Sequence, residues 1–357
     1  MRFIARETTY GLSTRLIRGD VTSSEFRKAA KEVRRVFKDR GSKVLEEAMA
    51  SIRRERIECD ETREAISHFI SYWHDILRPS LVSLACEAVG GNPSIMASTG
   101  GPLTLLSGAT DIHDDIVDKT MIKEKRHTVP GKFGGNLALL AGDALVFKGF
   151  AELFEGLMRL NIPLEEKLAV VRTINRLYFE MCDGEALELK FRARTDVKPG
   201  EYLYVIRKKA ADIEVCTRVG AMLGRGKKEQ IDALGEYGRL LGMIILLRND
   251  LEDLLDLDIL NLRIKNESLP LPLLFALEDK GKKSKILAIL KKVEVRREEA
   301  KRLFALVSEA GGVVKLGKCL ESLKNEAILN LEVIENKEIF IRILQAAIPL
   351  GLPLKKS

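Results

Sequence analysis

From Ile66 onward apolar positions recur every three or four residues, the period of a helix with one buried face. The pattern predicts helices over 66–90, 94–118, 135–160, 163–194, 200–223, 227–256 and 268–279. The breaks fall where turn chemistry clusters, at Gly90-Gly91-Asn92-Pro93, Asn161-Ile162-Pro163, Pro199-Gly200 and Pro270 with Pro272. Alternating Val, Ile and Thr runs flanked by Gly-rich turns do not occur, so strand signals are nearly absent. Lys280 to Lys337 reads as two more amphipathic helices split at Gly311-Gly312. Upstream, Thr22 with Glu25 forms a capping-box signature that opens a charged helix to about Asp39. Gly41 stops it, and a second charged helix follows from Ser42 to about Glu58. Before these, Arg2, Arg6, Arg15 and Arg18 suggest a basic amphipathic lead. The expectation is all-α: one single-domain bundle of ten or more helices around a central cavity, residues 1–357, with 1–65 a charged helical N-terminal extension.

Composition narrows the class. Hydrophobic residues make up 46% of the chain, enough for a buried core, and no apolar run reaches the ~20 residues that span a bilayer. The opening Met-Arg-Phe-Ile-Ala-Arg-Glu lacks the apolar centre of a signal peptide, so an intracellular, cytoplasmic protein is expected. The odd number of scattered cysteines, without a C-x-x-C pair, reads as reduced thiols packed as small apolar groups. No H-x-x-x-H spacing occurs among the four histidines, which argues against zinc. The net charge of +7 is compatible with nucleic acid, but the bases are interleaved with acids and there is one Trp, so no nucleic-acid partner is expected. A surface that attracts pyrophosphate substrates, or touches anionic lipid head groups peripherally, fits better.

Two acidic clusters change the picture most. Asp111, Asp114, Asp115 and Asp118 stand three or four residues apart after the apolar run Pro102 to Ala109, so on a helix they share one face. Like charges so close repel, and an apolar neighbourhood makes that worse. Hard oxygen donors in a cluster suit Mg²⁺, which keeps several waters and completes its shell with substrate phosphate oxygens. The alternative is a solvated acidic helix face. The second cluster, Asn249, Asp250, Asp253 and Asp256, also grows out of an apolar run, Leu240 to Leu247. Two such faces read as opposing walls of a cavity built to bind metal.

At these residues the chain resembles the class I trans-isoprenyl (polyprenyl) diphosphate synthases. Asp114-Asp115-x-x-Asp118, preceded by His113, is similar to their first aspartate-rich motif, and Asn249-Asp250-x-x-Asp253 to the second. Leu77-Arg78-Pro79, Cys86 to Asn92, Phe133-Gly134, Ala141 to Leu145, Gly184-Glu185-x-x-Glu188 and Lys208-Lys209 extend the likeness over residues 70 to 320. The resemblance implies a Mg²⁺-dependent enzyme of isoprenoid metabolism, usually dimeric, that ionises an allylic prenyl diphosphate and transfers the prenyl group. It implies that Asp114, Asp115 and Asp118 hold two ions and that Asn249, Asp250 and Asp253 hold a third. It assigns Lys208, Glu185 and Lys123 to catalysis, and Arg78, Lys123, Lys208 and Lys265 to the diphosphate. For Lys208 the alternative is an i,i+4 pair with Asp212. Ala109 and Thr110, with Ser107 and Gly108 beneath, stand at the floor of the prenyl pocket and are small, which favours a long chain.

The departures fall on the acceptor side. Counting back from Arg78-Pro79, the family's acceptor-binding lysine is Asp75 here, its histidine is Ser107, and its second arginine is Glu124. Two charge reversals in a pocket for a dianion disfavour isopentenyl diphosphate. The chain is therefore expected to be a divergent member with an altered isopentenyl diphosphate site. Three readings follow: transfer to another acceptor, cyclisation or elimination on a single prenyl diphosphate as a terpene synthase does, or a non-catalytic subunit of a true synthase. The clustered carboxylates argue against the last, since an idle subunit gains nothing from them.

Overall fold

A computed structural model describes residues 24–123 and 125–348. The readings placed on Arg2 to Arg18, on Thr22 and on Glu124 lie outside them. Helix follows helix along the chain: α1 (Ser24–Arg53), α2 (Asp60–Tyr72), α3 (Leu77–Ala88), α4 (Met96–Val117), α5 (Val129–Phe133), α6 (Gly135–Arg159), α7 (Leu164–Leu189) and α8 (Pro199–Lys209). Then come α9 (Ala211–Leu223), α10 (Lys228–Leu255), α11 (Leu257–Asn266), α12 (Leu271–Ala276), α13 (Lys280–Leu290), α14 (Arg297–Glu309), α15 (Gly312–Asn330) and α16 (Glu338–Ala347). The fold is all-α, as the periodicity predicts. Among the described residues the one strand pairing is a short antiparallel hairpin, β1 (Ile122–Lys123) with β2 (Arg126–His127). No described helix is long and apolar enough to cross a membrane.

Several elements differ from the sequence expectation: the predicted 200–223 helix is divided into α8 and α9, and α5, α11 and α16 were not expected. Gly41 does not stop a helix: α1 runs through it unbroken. A Cβ there would stand 2.5 Å from the Ile76 carbonyl oxygen and 2.6 Å from Ser80 Oγ, so this glycine permits close approach of α1 to the start of α3. The predicted 66–90 helix is divided at Trp73–Ile76, where the Asp75 carboxylate accepts from the first amides of α3. The stretch Lys280 to Lys337 forms three α-helices, α13, α14 and α15, rather than two, with the expected break at Gly311 before α15.

The described residues fall into two compact units. In Arg35–Asn175 with Val215–Gly235, an apolar cluster gathers Leu45 and Ile52 from α1, Phe69 from α2, Leu105 and Ile112 from α4 and Leu145 from α6. Helix α6 lies close on α4 through Gly149, whose added Cβ would meet Leu106 at 2.9 Å. The other unit comprises the described residues of Met1–Arg34, Arg176–Glu214 and Glu236–Ser357. There buried Tyr237 on α10 donates its hydroxyl to the Phe340 carbonyl of α16 at 2.9 Å, and the two rings meet edge to face. A side chain at Gly312, where α15 starts, would overlap the Pro272 carbonyl of α12.

Candidate active site

Helix α4 ends in the first acidic cluster. Ile112 is buried in the core, and Asp111, Asp114, Asp115 and Asp118 share the adjoining flank of the helix, with Asp115 the most buried of the four. Asp115 is only 7% exposed and its neighbours are half-buried. Burial pushes the Asp115 carboxyl up to about 6; Lys123 opposes the shift, and Asp114 and Asp111 reinforce it. Asp111 is raised by the protein packed around it, against the pull of Arg78 and Lys123.

The hairpin brings a cation to this cluster. Lys123 Nζ lies 3.3 Å from Asp115 Oδ1. The hairpin is pinned from both ends: Thr128 Oγ1 donates to Thr120 O at 2.6 Å and accepts from Gly131 N at 3.1 Å, capping α5. A methyl at Gly131 would overlap the Met121 carbonyl, so only glycine lets α5 sit against the base of the hairpin. Lys125 takes a left-handed φ of 64° at the turn, and the Arg126 guanidinium stacks over the Tyr72 ring at 4.3 Å. Among the described residues no three His, Cys, Asp or Glu groups close around one ion. Mg²⁺ needs only one or two carboxylates plus waters and phosphate oxygens, and the crowded, hard-oxygen donor set at the end of α4 fits it.

In the same unit Asp75 is 1% exposed and fully engaged. Its Oδ1 accepts from Leu77 N at 3.0 Å and Arg78 N at 3.3 Å, and its Oδ2 pairs with Arg78 Nη1. The residue read as a charge reversal is thus a helix cap that also holds the arginine beside it. Ser107 and Ala109 are buried, Ala109 within the apolar cluster, while Thr110 is half-buried and donates to Ser107 O at 2.8 Å. Beside them the Trp73 indole rests against Gly108, 2.6 Å from where a Cβ would stand, and fills the space that this small residue leaves.

The second acidic cluster, on α10 in the other unit, is built differently. Asp250 and Asp253 are 2% and 5% exposed. Asp250 Oδ1 accepts from Tyr202 Oη at 2.9 Å and Arg263 Nη1 at 3.0 Å, and its Oδ2 accepts from Leu271 N at 2.9 Å. Asp253 Oδ2 accepts from the same Arg263 nitrogen at 2.8 Å. Burial raises the Asp250 carboxyl to about 6, against the pull of Arg263. Asn249 Oδ1 accepts from Arg248 Nη2 at 3.3 Å. Two carboxylates that the sequence presents as metal ligands therefore share one buried guanidinium.

The lysine pair at the end of α8 divides its partners. Lys208 Nζ is 2.9 Å from Asp183 Oδ2 and 5.3 Å from the Tyr204 ring centre, so its ion pair reaches across to α7 and not to Asp212. Lys209 pairs with Glu185 at 2.9 Å and with Glu188, whose other oxygen accepts from Ser268 Oγ. Burial alone would raise Glu188, but Lys209 and Arg263 carry it down to about 2. The lysines meet α7 closely because residue 184 is glycine; a Cβ there would be 2.9 Å from Lys208 Cβ. Lys265 lies exposed on α11. Buried Arg239, which the sequence reading missed, bonds Glu214 at 2.6 Å, Glu180 at 2.9 Å and the Arg207 carbonyl at 2.7 Å, fixing the last turn of α8. Arg263 and Tyr202 were missed as well. Arg263 left one trace, an arginine interrupting the apolar spacing of Leu260, Leu262 and Ile264.

A family model described as "Polyprenyl synthetase" matches residues 60–307. A short chain isoprenyl diphosphate synthase of Methanothermobacter thermautotrophicus is 35% identical over 190 residues, 53% of this chain and 57% of that protein. A geranylgeranyl diphosphate synthase of Methanosarcina mazei is 31% identical over 196 residues, 55% of this chain and 59% of that one. The match thus spans less than two thirds of the length of either relative. Among solved structures, a geranylgeranyl pyrophosphate synthetase from Geoglobus acetivorans superimposes with a TM-score of 0.76 at 26% identity, covering 87% of this chain and 98% of its own.

Proposed function

The chain belongs to the polyprenyl synthetase family, and from that premise we propose that it is a Mg²⁺-dependent prenyltransferase that ionises an allylic polyprenyl diphosphate. The observation that carries this reading is the first acidic cluster: crowded, partly buried carboxylates whose mutual repulsion calls for a cation, with Lys123 3.3 Å from Asp115. When bound, Mg²⁺ would neutralise and orient the leaving diphosphate. Asp114, Asp115 and Asp118 would hold it, and Lys123 would add charge without the bidentate fork of an arginine. Lys208, which pairs with Asp183 at 2.9 Å, is the second cation that the family resemblance assigns to a diphosphate. Glu185 pairs with the neighbouring Lys209 at 2.9 Å. As the C–O bond breaks, its electron pair leaves on the diphosphate. The allylic cation then bonds to the acceptor, which gives up a proton.

The acceptor is the departure. Asp75 commits the Arg78 guanidinium inside the fold, so the arginine retained for the acceptor diphosphate is already neutralised, and an acceptor other than isopentenyl diphosphate follows. A second reading, cyclisation or elimination on a single prenyl diphosphate, draws support from the same lock and from Asn249 opening the second motif. The purified protein with Mg²⁺ and geranylgeranyl diphosphate, with and without isopentenyl diphosphate, separates them. Pyrophosphate release without isopentenyl diphosphate favours the cyclase; chain extension with it would show the acceptor site intact and overturn the altered-acceptor reading. A cytoplasmic homodimer is part of the proposal. On α6, Leu140, Phe147, Phe154 and Met158 recur at helical spacing and stand exposed, a stripe suited to the same face of a second copy.

A further inference from the structure

We propose that Arg263 is the resident cation of the second acidic cluster, so that Asp250 and Asp253 form a guanidinium site and leave metal binding to Asp114, Asp115 and Asp118. The residues at the second cluster do not fit a divalent ion. Magnesium demands short, near-octahedral contacts to oxygens with open lone pairs and room for its waters. Both oxygens of Asp250 are instead engaged, Oδ1 by Tyr202 and Arg263 and Oδ2 by the Leu271 amide. Asp253 turns Oδ2 to the same guanidinium.

The arginine is fixed on its own side as well. Its Nε donates to Ser268 O at 3.0 Å and stands 3.3 Å from Glu267 Oε2, and its Nη2 lies 3.2 Å from the Tyr202 hydroxyl. All three nitrogens thus have partners, on α8, on α10 and in the turn between α11 and α12. A metal entering here would have to evict a buried guanidinium, and stranding such a charge is costly. One arginine therefore does two things that an exchangeable ion would do only when present: it neutralises the carboxylates, and it ties α10 to the turn that begins α12. The chain should bind one metal ion fewer than its family resemblance implies.

The inference rests on the proposed diphosphate–metal chemistry only for the ions at the first cluster, and the test keeps the two apart. Mn²⁺ is titrated into the full chain with inorganic pyrophosphate, bound Mn²⁺ is counted by electron paramagnetic resonance, and melting is followed with and without the metal. Wild type and Asp253→Asn should bind the same number of ions, and Asp114→Asn fewer. Arg263→Gln, which bares two carboxylates, should gain one ion and be stabilised by Mn²⁺ more than wild type is. An ion lost in Asp253→Asn, or no gain in Arg263→Gln, overturns the assignment. If Arg263→Gln does not fold, the Asp253→Asn count decides. A wild type that binds no Mn²⁺ would sink the reading of the first cluster, while a gain in Arg263→Gln would still support this one.

Discussion

Removing the Asp75 carboxylate should both loosen the start of α3 and release an arginine, and the two effects can be separated. In Asp75→Ala the Leu77 and Arg78 amides lose their acceptor, a cap worth about 1 kcal/mol. The ion pair to Arg78 goes too. Breaking a fully buried pair costs ~3–5 kcal/mol, but the Arg78 side chain keeps 17% of its surface in water, so about 1–2 kcal/mol is the better figure. The sum, about 2–3 kcal/mol, corresponds to a melting temperature lower by roughly 3–4 °C for a chain of 357 residues. Asp75→Asn keeps an acceptor oxygen in place and should lose only the ion-pair part, about half of that.

The ligand arm runs the other way. With Arg78 released, Asp75→Asn should bind inorganic pyrophosphate more tightly by roughly tenfold, since a hydrogen bond from a charged donor is worth ~1.5–3 kcal/mol. Calorimetry with pyrophosphate and then isopentenyl diphosphate measures this. Two results would refute the reasoning. If both variants melt with wild type, the buried pair does not contribute as drawn. If Asp75→Asn melts lower but binds the anions no better, Arg78 does not face the acceptor diphosphate.

Further outcomes follow from other contacts. The Glu188 carboxyl, held down to about 2 by Lys209 and Arg263 against its burial, lies below its unfolded value of about 4.3, so its contribution is present above that pH and lost as pH falls towards 2. Glu188→Gln should therefore cost on the order of 2–3 kcal/mol at pH 7, a difference that shrinks below pH ~4 in urea unfolding followed by circular dichroism. Gly131→Ala, overlapping Met121 O, should cost about 1–3 kcal/mol and weaken binding of pyrophosphate in the presence of Mn²⁺ by moving the hairpin that holds Lys123; unchanged pyrophosphate binding would detach Lys123 from the diphosphate. Phe147→Glu, at a side chain 75% exposed, should leave melting within ~0.5 kcal/mol of wild type yet turn a dimer into a monomer in sedimentation equilibrium. A dimer that persists would move the interface off α6.

What could be read from the linear pattern was the helical period and the position of carboxylates on helix faces. The long helices α4, α6, α7 and α10 lie where apolar spacing put them, because a 3.6-residue period is local information, while breaks such as those within 66–90 and 200–223 left no mark in it. Gly41 misled for a physical reason. Glycine ends helices where φ is positive, but it also sits inside them where a neighbour's backbone comes close, and only the Ile76 carbonyl distinguishes the two. Asp75 was legible as a charge in the wrong place, not as a cap, since the helix it caps was hidden inside a longer apolar stretch. Arg239 and Arg263 were invisible because a buried cation is recognised by its partners, and the tyrosine and most of the carboxylates among them lie 10 to 61 residues away along the chain.

The two acidic clusters show how little a motif fixes once the fold supplies the counter-charge. In sequence both are carboxylates three and four apart after an apolar run. At the end of α4 the nearby lysine sits on a two-residue strand, 3.3 Å from one carboxylate oxygen, and burial still leaves Asp115 raised. Such a site gains from an exchangeable cation and, through it, from a ligand that brings phosphate oxygens. On α10 the counter-charge is covalently part of the chain, desolvated and bonded at all three nitrogens. That site gains nothing from an ion that would have to displace it. If metal capacity follows the α4 carboxylates and stability follows Arg263, then one motif has become a joint of the scaffold while the other has stayed a binding site.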